Sequence, residues 1–225
     1  MMLKDNQALT IIFMGPSGSG KGTQAALLSE KFGFEFVEMG GIIRAEAKKD
    51  TELGKKVYQI VMMEGRLLPD DLTYQLLENK ILDVPAEKNL IVDGYPRTVQ
   101  QVGDFYKLLA KANRKHLTVF NVTLSDEAVL ERLSKRLVCD NCQTVFIASK
   151  DNKKGSKCAK CGGKLIRRSD DTPAKIKARL QWAHEQVEPA IEEFKKKGVL
   201  VDINGDRSIK EIQAELVGQV EKLLS

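Results

Sequence analysis

The stretch Gly15-Pro16-Ser17-Gly18-Ser19-Gly20-Lys21-Gly22-Thr23 constrains this chain more than any other. An apolar run, Leu9 to Met14, precedes it and reads as a short buried strand. Gln24-Ala25-Ala26-Leu27-Leu28 follows and reads as the start of a helix. Strand, Gly-rich loop, lysine and helix form the layout of a phosphate-binding loop. The glycines let the backbone wrap closely around phosphate oxygens, in conformations a Cβ would obstruct. Successive N–H groups then point inward, and the helix N-terminus adds positive potential. Lys21 brings a mobile cation to the outer phosphates. Gly22 stands where such loops commonly carry the Ser or Thr that meets Mg²⁺, with Thr23 one place later.

A chain of 225 residues can bury a sizeable core as one domain with insertions. Its net charge of +5 suits an anionic ligand without demanding nucleic acid. No apolar run approaches the ~20 residues that span a bilayer. The first residues, Met1 to Gln7, lack the pattern of a signal peptide, so a cytoplasmic protein is expected.

Beyond the first helix, Phe34 to Met39 reads as a second strand. Helical segments from Ile42 to Lys48 and Thr51 to Glu64 come next, so residues 38–67 read as a helical insertion. Pro69-Asp70-Asp71 opens a further helix. Asn89 to Asp93 is an apolar run ending in a carboxylate, which a parallel sheet puts at the ligand-binding edge. A helix over about 98–112, a strand at 117–122 and a helix capped by Ser125 follow. That last helix is expected to run through Leu137, with Arg132 and Arg136 on one face. A long helix carries Ile176, Arg179, Leu180, Val187 and Phe194, with a kink expected at Pro189. A strand at 199–203 and an amphipathic helix from Ile209 to Leu223 close the chain. His116 and His184 have no nucleophile beside them in the pattern and read as structural.

Cys139-x-x-Cys142, fifteen residues, then Cys158-x-x-Cys161 is the spacing of a Cys₄ zinc site. Each pair places two thiolates on one turn, and two turns close a tetrahedron. The polar segment 149–157 reads as a hairpin tip between the pairs. With all four ligands from protein, the zinc is structural. Such a segment cannot build its own core, and zinc can supply about 10–16 kcal/mol of apparent binding energy toward folding it.

These parts resemble the adenylate kinase family in its long form with a zinc-binding bacterial-type lid. The resemblance rests on Gly15 to Gln24, on Asp93-Gly94-Tyr95-Pro96-Arg97-Thr98, on Arg168-Ser169-Asp170-Asp171 and on the cysteines, and it runs to Asp202-Ile203-Asn204-Gly205. It implies an α/β fold: a P-loop NTPase-type parallel sheet with helices on both faces, plus a helical NMP-binding insertion and a small lid. The expected division is a core of 1–37, 68–134 and 172–225, an NMP-binding domain of 38–67 and a lid of 135–171.

The implied reaction is ATP + AMP ⇌ 2 ADP with Mg²⁺, in a cytoplasmic monomer with no nucleic-acid or membrane partner. Gly18, Ser19, Gly20, Lys21, Gly22 and Thr23 would hold the ATP phosphates. Arg132, Val145, Phe146 and Arg207 would contact the rest of ATP. Met39, Arg44, Arg66, Leu67, Leu68, Gly94, Tyr95, Pro96, Arg97 and Gln101 would form the AMP site. Lys21, Asp93, Arg97, Arg136, Arg168 and Arg179 would be catalytic, with Arg168 and Arg179 also reaching AMP. Phosphoryl transfer asks for positioning and charge neutralisation, which arginine forks provide. The chain departs from the family pattern at Met39-Gly40-Gly41, where Thr-Gly-Asp is usual. A UMP- or CMP-preferring kinase of the same fold is the near alternative, and a zinc-ribbon nucleic-acid-binding protein the distant one.

Overall fold

The structure is a computed structural model describing residues 8–64, 67–168 and 171–225. β1 (Leu9–Met14) is buried along its whole length. Leu9, Ile11 and Phe13 enter one core with Ala25, Leu28, Ile212, Leu216 and Val220. Ile12 and Met14 enter another with Leu72, Leu76, Phe105, Leu108 and Phe194. A strand apolar on both faces belongs to a sheet covered on both sides.

In chain order β1 is followed by α1 (Lys21–Phe32), β2 (Glu35–Glu38), α2 (Met39–Glu46), α3 (Glu52–Val57), α4 (Asp70–Leu82), β3 (Leu90–Asp93) and α5 (Val99–Lys111). Then come β4 (His116–Thr123), α6 (Asp126–Ser134), β5 (Arg136–Cys139), β6 (Val145–Ile147), β7 (Leu165–Ile166), α7 (Pro173–Trp182), α8 (Glu188–Lys196), β8 (Leu200–Asn204) and α9 (Ile209–Leu224). The main sheet has the order β2-β3-β1-β4-β8, and every pair in it is parallel. It holds all five expected strands. Helices α1 and α9 cover one face, and α4, α5 and α8 cover the other. The chain leaves β1 first toward β3 and β2, then toward β4 and β8. The topological switch therefore lies beside β1, whose carboxyl end carries the Gly-rich loop.

The first insertion is helical as expected, with shifted bounds. β2 stops at Glu38 and Met39 already begins α2. The Thr51 side chain accepts the Gly54 N–H at 3.0 Å and caps α3, which widens into a π-helical turn over Tyr58–Met63. A second π-helical turn, Ala183–Val187, joins α7 to α8 immediately before Pro189. Proline has no N–H to give and its ring crowds the carbonyl four residues back, so the expected kink takes this form.

The lid corrects two expectations. Helix α6 ends at Ser134, and Arg136 opens β5 instead of continuing the helix. Arg132 and Arg136 therefore share no helix face. β5 is the central strand of an antiparallel sheet, pairing Arg136 with Ile147, Leu137 with Phe146 and Val138 with both Val145 and Ile166. Long-range pairing overrides a spacing of Leu130, Leu133 and Leu137 that suits a helix. Segment 149–157 is not a hairpin tip, because β6 and β7 lie on opposite sides of β5 and the segment crosses between them. The hairpin lies further on, where Lys157 bridges Lys164 around the second cysteine pair.

Candidate active site

The site is built along the carboxyl edge of the main sheet. At the end of β1 the Gly-rich loop turns into α1, with Gly20 left-handed (φ 95°) at the helix entrance. The Lys21 ammonium donates to the Pro16 carbonyl at 3.0 Å, lying across the loop it serves. Its charge faces Asp93 and also Arg97, Arg136 and Arg179. Burial, aided by the three arginines and opposed by Asp93, pulls its pKa down to about 8.

Asp93 ends β3, and its buried Oδ1 has no hydrogen-bond partner among the described residues. Burial pushes its carboxyl up, while Lys21 and Arg97 oppose that shift. A Cβ on Gly22 would stand 2.9 Å from Asp93 Oδ2. Glycine after the lysine is thus what lets this carboxylate lie against the loop. An unpartnered buried carboxylate oxygen at that place fits a hydrated Mg²⁺ brought in with phosphates.

One strand over, Glu38 ends β2 in register with Asp93. Arg44, in α2, places Nη2 3.2 Å from each Glu38 carboxylate oxygen. Tyr95 and Pro96 turn the chain after β3, joined by a cis peptide bond. Arg97 follows, with Nε donating to the Gly94 carbonyl at 2.7 Å. Its guanidinium faces Asp93, Glu38 and Arg168. Met39 and Leu68 are buried in the core under this corner, and Leu67 is exposed. Gln101 is buried, its Oε1 accepting the Arg97 N–H at 2.7 Å and its Nε2 donating to Asp70 Oδ1 at 2.6 Å. Both ends of that amide are therefore engaged by the protein itself. Arg66 lies outside the described residues, as do Ser169 and Asp170.

The arginines at the lid exit converge on Asp171. Arg136 binds it as a fork, Nε to Oδ2 and Nη2 to Oδ1, each at 2.7 Å. Arg179 Nη2 adds a third bond, 2.8 Å to Oδ1. The Asp171 side chain is 2% exposed, so this carboxylate is enclosed by its cations. Arg168 is close enough for its charge to act on both Arg97 and Arg136. Among the described residues, six cations, Lys21, Arg44, Arg97, Arg136, Arg168 and Arg179, thus meet three carboxylates, Glu38, Asp93 and Asp171. That excess of positive charge suits polyanionic ligands spanning the gap between loop and insertion.

Of the remaining predicted donor residues, Arg132 and Arg207 meet around Asn204 and Gly205. Arg132 Nη2 donates to the Gly205 carbonyl at 2.9 Å, and the Gly205 N–H donates to Thr123 O at 2.9 Å. Arg207 Nε donates to Asn204 O at 3.1 Å, and its Nη2 pairs with Glu215. Val145 and Phe146 lie on β6 in the lid, Val145 about half exposed.

The four cysteines come together as the spacing implied: their Sγ atoms all lie within 4.8 Å of one another. Cys139 and Cys161 Sγ are 3.4 Å apart, and Cys142 and Cys158 Sγ are 3.7 Å apart. A tetrahedron with Zn–S bonds of about 2.3 Å has edges of about 3.8 Å. The Cys142 N–H and the Lys160 N–H point at Cys139 and Cys158 Sγ, at 3.5 and 3.4 Å. The lid core beneath them consists of Leu137, Cys139, Cys158 and Leu165.

Sequence reasoning missed two residues as members of the site, Asp171 and Glu38. Asp171 was visible inside Arg168-Ser169-Asp170-Asp171 but carried no assigned role. Glu38 gave no signal at all, since only the fold sets it beside Asp93 and under Arg44. His116 begins β4 and His184 lies between Asp126 and Glu188, both outside this cluster.

Comparison with known proteins points to one family. The family model described as adenylate kinase matches residues 13–199. An adenylate kinase from Archaeoglobus fulgidus is 36% identical over 218 residues, covering 96% of this chain and all of the relative. One from Caldicellulosiruptor saccharolyticus is 37% identical over 210 residues, covering 93% of this chain and 97% of the relative. One from Methanosarcina barkeri is 35% identical over 214 residues, covering 95% and 99%. These matches run across both insertions and the sheet, far beyond a free-standing zinc ribbon.

Proposed function

The chain belongs to the adenylate kinase family and is an ATP:AMP phosphotransferase; on that premise we propose how its residues divide the work. The donor phosphates lie in the loop from Gly18 to Thr23, with Lys21 as the mobile cation. The donor base and ribose lie toward Arg132 and Arg207, covered from the lid by Val145 and Phe146. The acceptor phosphate lies between Arg44 and Arg97. The acceptor nucleoside lies near Met39, Arg66, Leu67, Leu68, Gly94, Tyr95, Pro96 and Gln101. Arg136, Arg168 and Arg179 meet the transferred phosphoryl group between the two. The observation that carries this reading is the convergence of Lys21, Arg97, Arg136 and Arg179 on one another's charge.

The chemistry follows from that convergence. In the transition state negative charge spreads over the equatorial oxygens, and preoriented forks stabilise it without reorganising. Asp171 holds Arg136 and Arg179 in one orientation before any phosphate arrives. An acceptor phosphate oxygen is already anionic, so no general base is required. Asp93 is the residue that would hold Mg²⁺, through water, and the ion would neutralise charge on the donor phosphates. Cys139, Cys142, Cys158 and Cys161 would hold one structural Zn²⁺ that keeps the lid folded. We read the enzyme as a cytoplasmic monomer acting on free nucleotides, which is what the resemblance to its family implies. The test is steady-state turnover with AMP, UMP, CMP and GMP at fixed ATP, together with Arg97→Met. AMP should be the fastest acceptor, and Arg97→Met should raise its KM at least tenfold. Faster turnover of UMP or CMP would overturn the acceptor assignment.

A further inference from the structure

Glu38 ends β2 at the acceptor corner, and nothing in the phosphoryl-transfer chemistry above uses it. Its two carboxylate oxygens share one donor, Arg44 Nη2, at 3.2 Å each. The pair is accessible, with side chains 35% exposed for Arg44 and 42% for Glu38, so a ligand can reach it. The backbone is shaped to admit this carboxylate. A Cβ on Gly40 would lie 2.8 Å from Glu38 Oε1, and a Cβ on Gly41 2.9 Å from Glu38 Oε2. The two glycines at the head of α2 thus leave the space that the Glu38 carboxylate fills. The Glu38 carboxylate is turned onto the arginine assigned to the acceptor phosphate.

We propose that Glu38 sets acceptor affinity by acting through Arg44. Its carboxylate is an internal ligand of that guanidinium, and the phosphate of the incoming nucleoside monophosphate must displace it. This rests on the assignment of Arg44 to the acceptor phosphate. Carboxylate and phosphate present the same kind of oxygen pair to an arginine, so the two compete for one donor face. The contact has two consequences. While the site is empty, Arg44 is held aimed into the cleft by a partner that neutralises it. When the acceptor binds, Glu38 is released beside a phosphate dianion, and the like charge weakens binding. An enzyme built this way keeps its KM for the acceptor high, which favours turnover when that nucleotide is abundant.

The test is Glu38→Gln, which keeps the shape and removes the charge. An accessible pair of this kind, together with repulsion of the dianion, should shift acceptor affinity by about three- to tenfold. KM for AMP should fall by that factor while KM for ATP moves less than twofold. Competitive inhibition by adenosine, which has no phosphate, should stay unchanged, whereas a merely structural role would move it together with AMP. Gly41→Ala offers a second route, since its methyl displaces the Glu38 carboxylate while suiting a helix; KM for AMP should fall there as well. In an Arg44→Met background, Glu38→Gln should lower KM for AMP by less than it does in the parent, because the part that acts through Arg44 is gone and only repulsion of the phosphate remains. An unchanged or raised KM for AMP in Glu38→Gln would overturn the proposal. The acceptor assignment is checked separately by Arg44→Met alone. If that variant raises KM for AMP, a failure of Glu38→Gln counts against the proposal only. If it leaves KM for AMP unmoved, the assignment is overturned and the proposal with it.

Discussion

Individual charges in this protein are tuned by what encloses them. Lys21 has its pKa pulled down to about 8, far below an ordinary lysine, because burial and three arginines outweigh Asp93. The free enzyme therefore has about half of Lys21 deprotonated near pH 8, and a bound triphosphate restores the proton. kcat/KM for ATP should fall along an alkaline limb with an apparent pKa near 8, and ATP binding at pH 9 should take up a proton, measurable by calorimetry in buffers of different ionisation enthalpy. A flat profile through pH 9.5 would show Lys21 to be an ordinary exposed amine. Lys21→Ala should lower kcat by about 10²–10³ with the thermal midpoint nearly unchanged. Asp171 is the opposite case, an enclosed anion whose loss takes away the carboxylate that Arg136 and Arg179 share. Asp171→Asn should destabilise the protein by about 3 kcal/mol in denaturant titration, since breaking an enclosed pair strands charge. Gly22→Ser puts a Cβ where Asp93 Oδ2 approaches to 2.9 Å, so turnover should collapse although serine is the usual residue after the lysine in such loops.

Elements differ in how much of their stability is their own. The main sheet draws on two large cores, whereas the lid's apolar cluster holds four buried residues among those described, two of them cysteines. Metal must supply what that small core lacks. Chelation should release about one metal ion per chain, lower the melting temperature and expose the lid to protease between Ser149 and Gly163, with the sheet still protected from hydrogen exchange. A chelated protein that melts unchanged would refute a structural metal. The junction of α6 with the π turn before α8 holds a smaller, pH-dependent contact. His184 lies 3.0 Å from Asp126 and 2.6 Å from Glu188, and both carboxylates raise its pKa above the ordinary 6.5. A raised folded-state value means that this stabilisation is fully present below pH 6.5 and is lost as pH rises through the folded pKa. The melting temperature should drift down slightly over that interval, and His184→Gln should remove the drift.

At the scale of the whole molecule, a chain of net charge +5 concentrates cations at one edge of its sheet. Nucleotide capture should therefore weaken as salt rises, because exposed charges are screened beyond about 8 Å at physiological ionic strength. No helix among the described residues is long and apolar enough to cross a membrane. Much of this was legible in the residues. The Gly-rich loop, all five strands of the main sheet, Asp93 at a strand end and the Cys₄ spacing are local patterns, each enforced by backbone conformation, strand period or ligand spacing. Arg136 was misplaced because Leu130, Leu133 and Leu137 satisfy a helical period, and only pairing with β6 and β7 decides for a strand. The same holds for segment 149–157, whose crossing over β5 depends on which strands flank it. Glu38 on Arg44, Asp171 between Arg136 and Arg179, and Gln101 between Arg97 and Asp70 were decided by tertiary structure alone. The sequence by itself determined what lies along the chain, because those choices are made by neighbours a few residues apart. Which charge meets which was left to the fold: Glu38 and Arg44 are six residues apart and Asp171 and Arg136 35, yet in both cases burial and the way the elements meet choose the partner, not a local pattern.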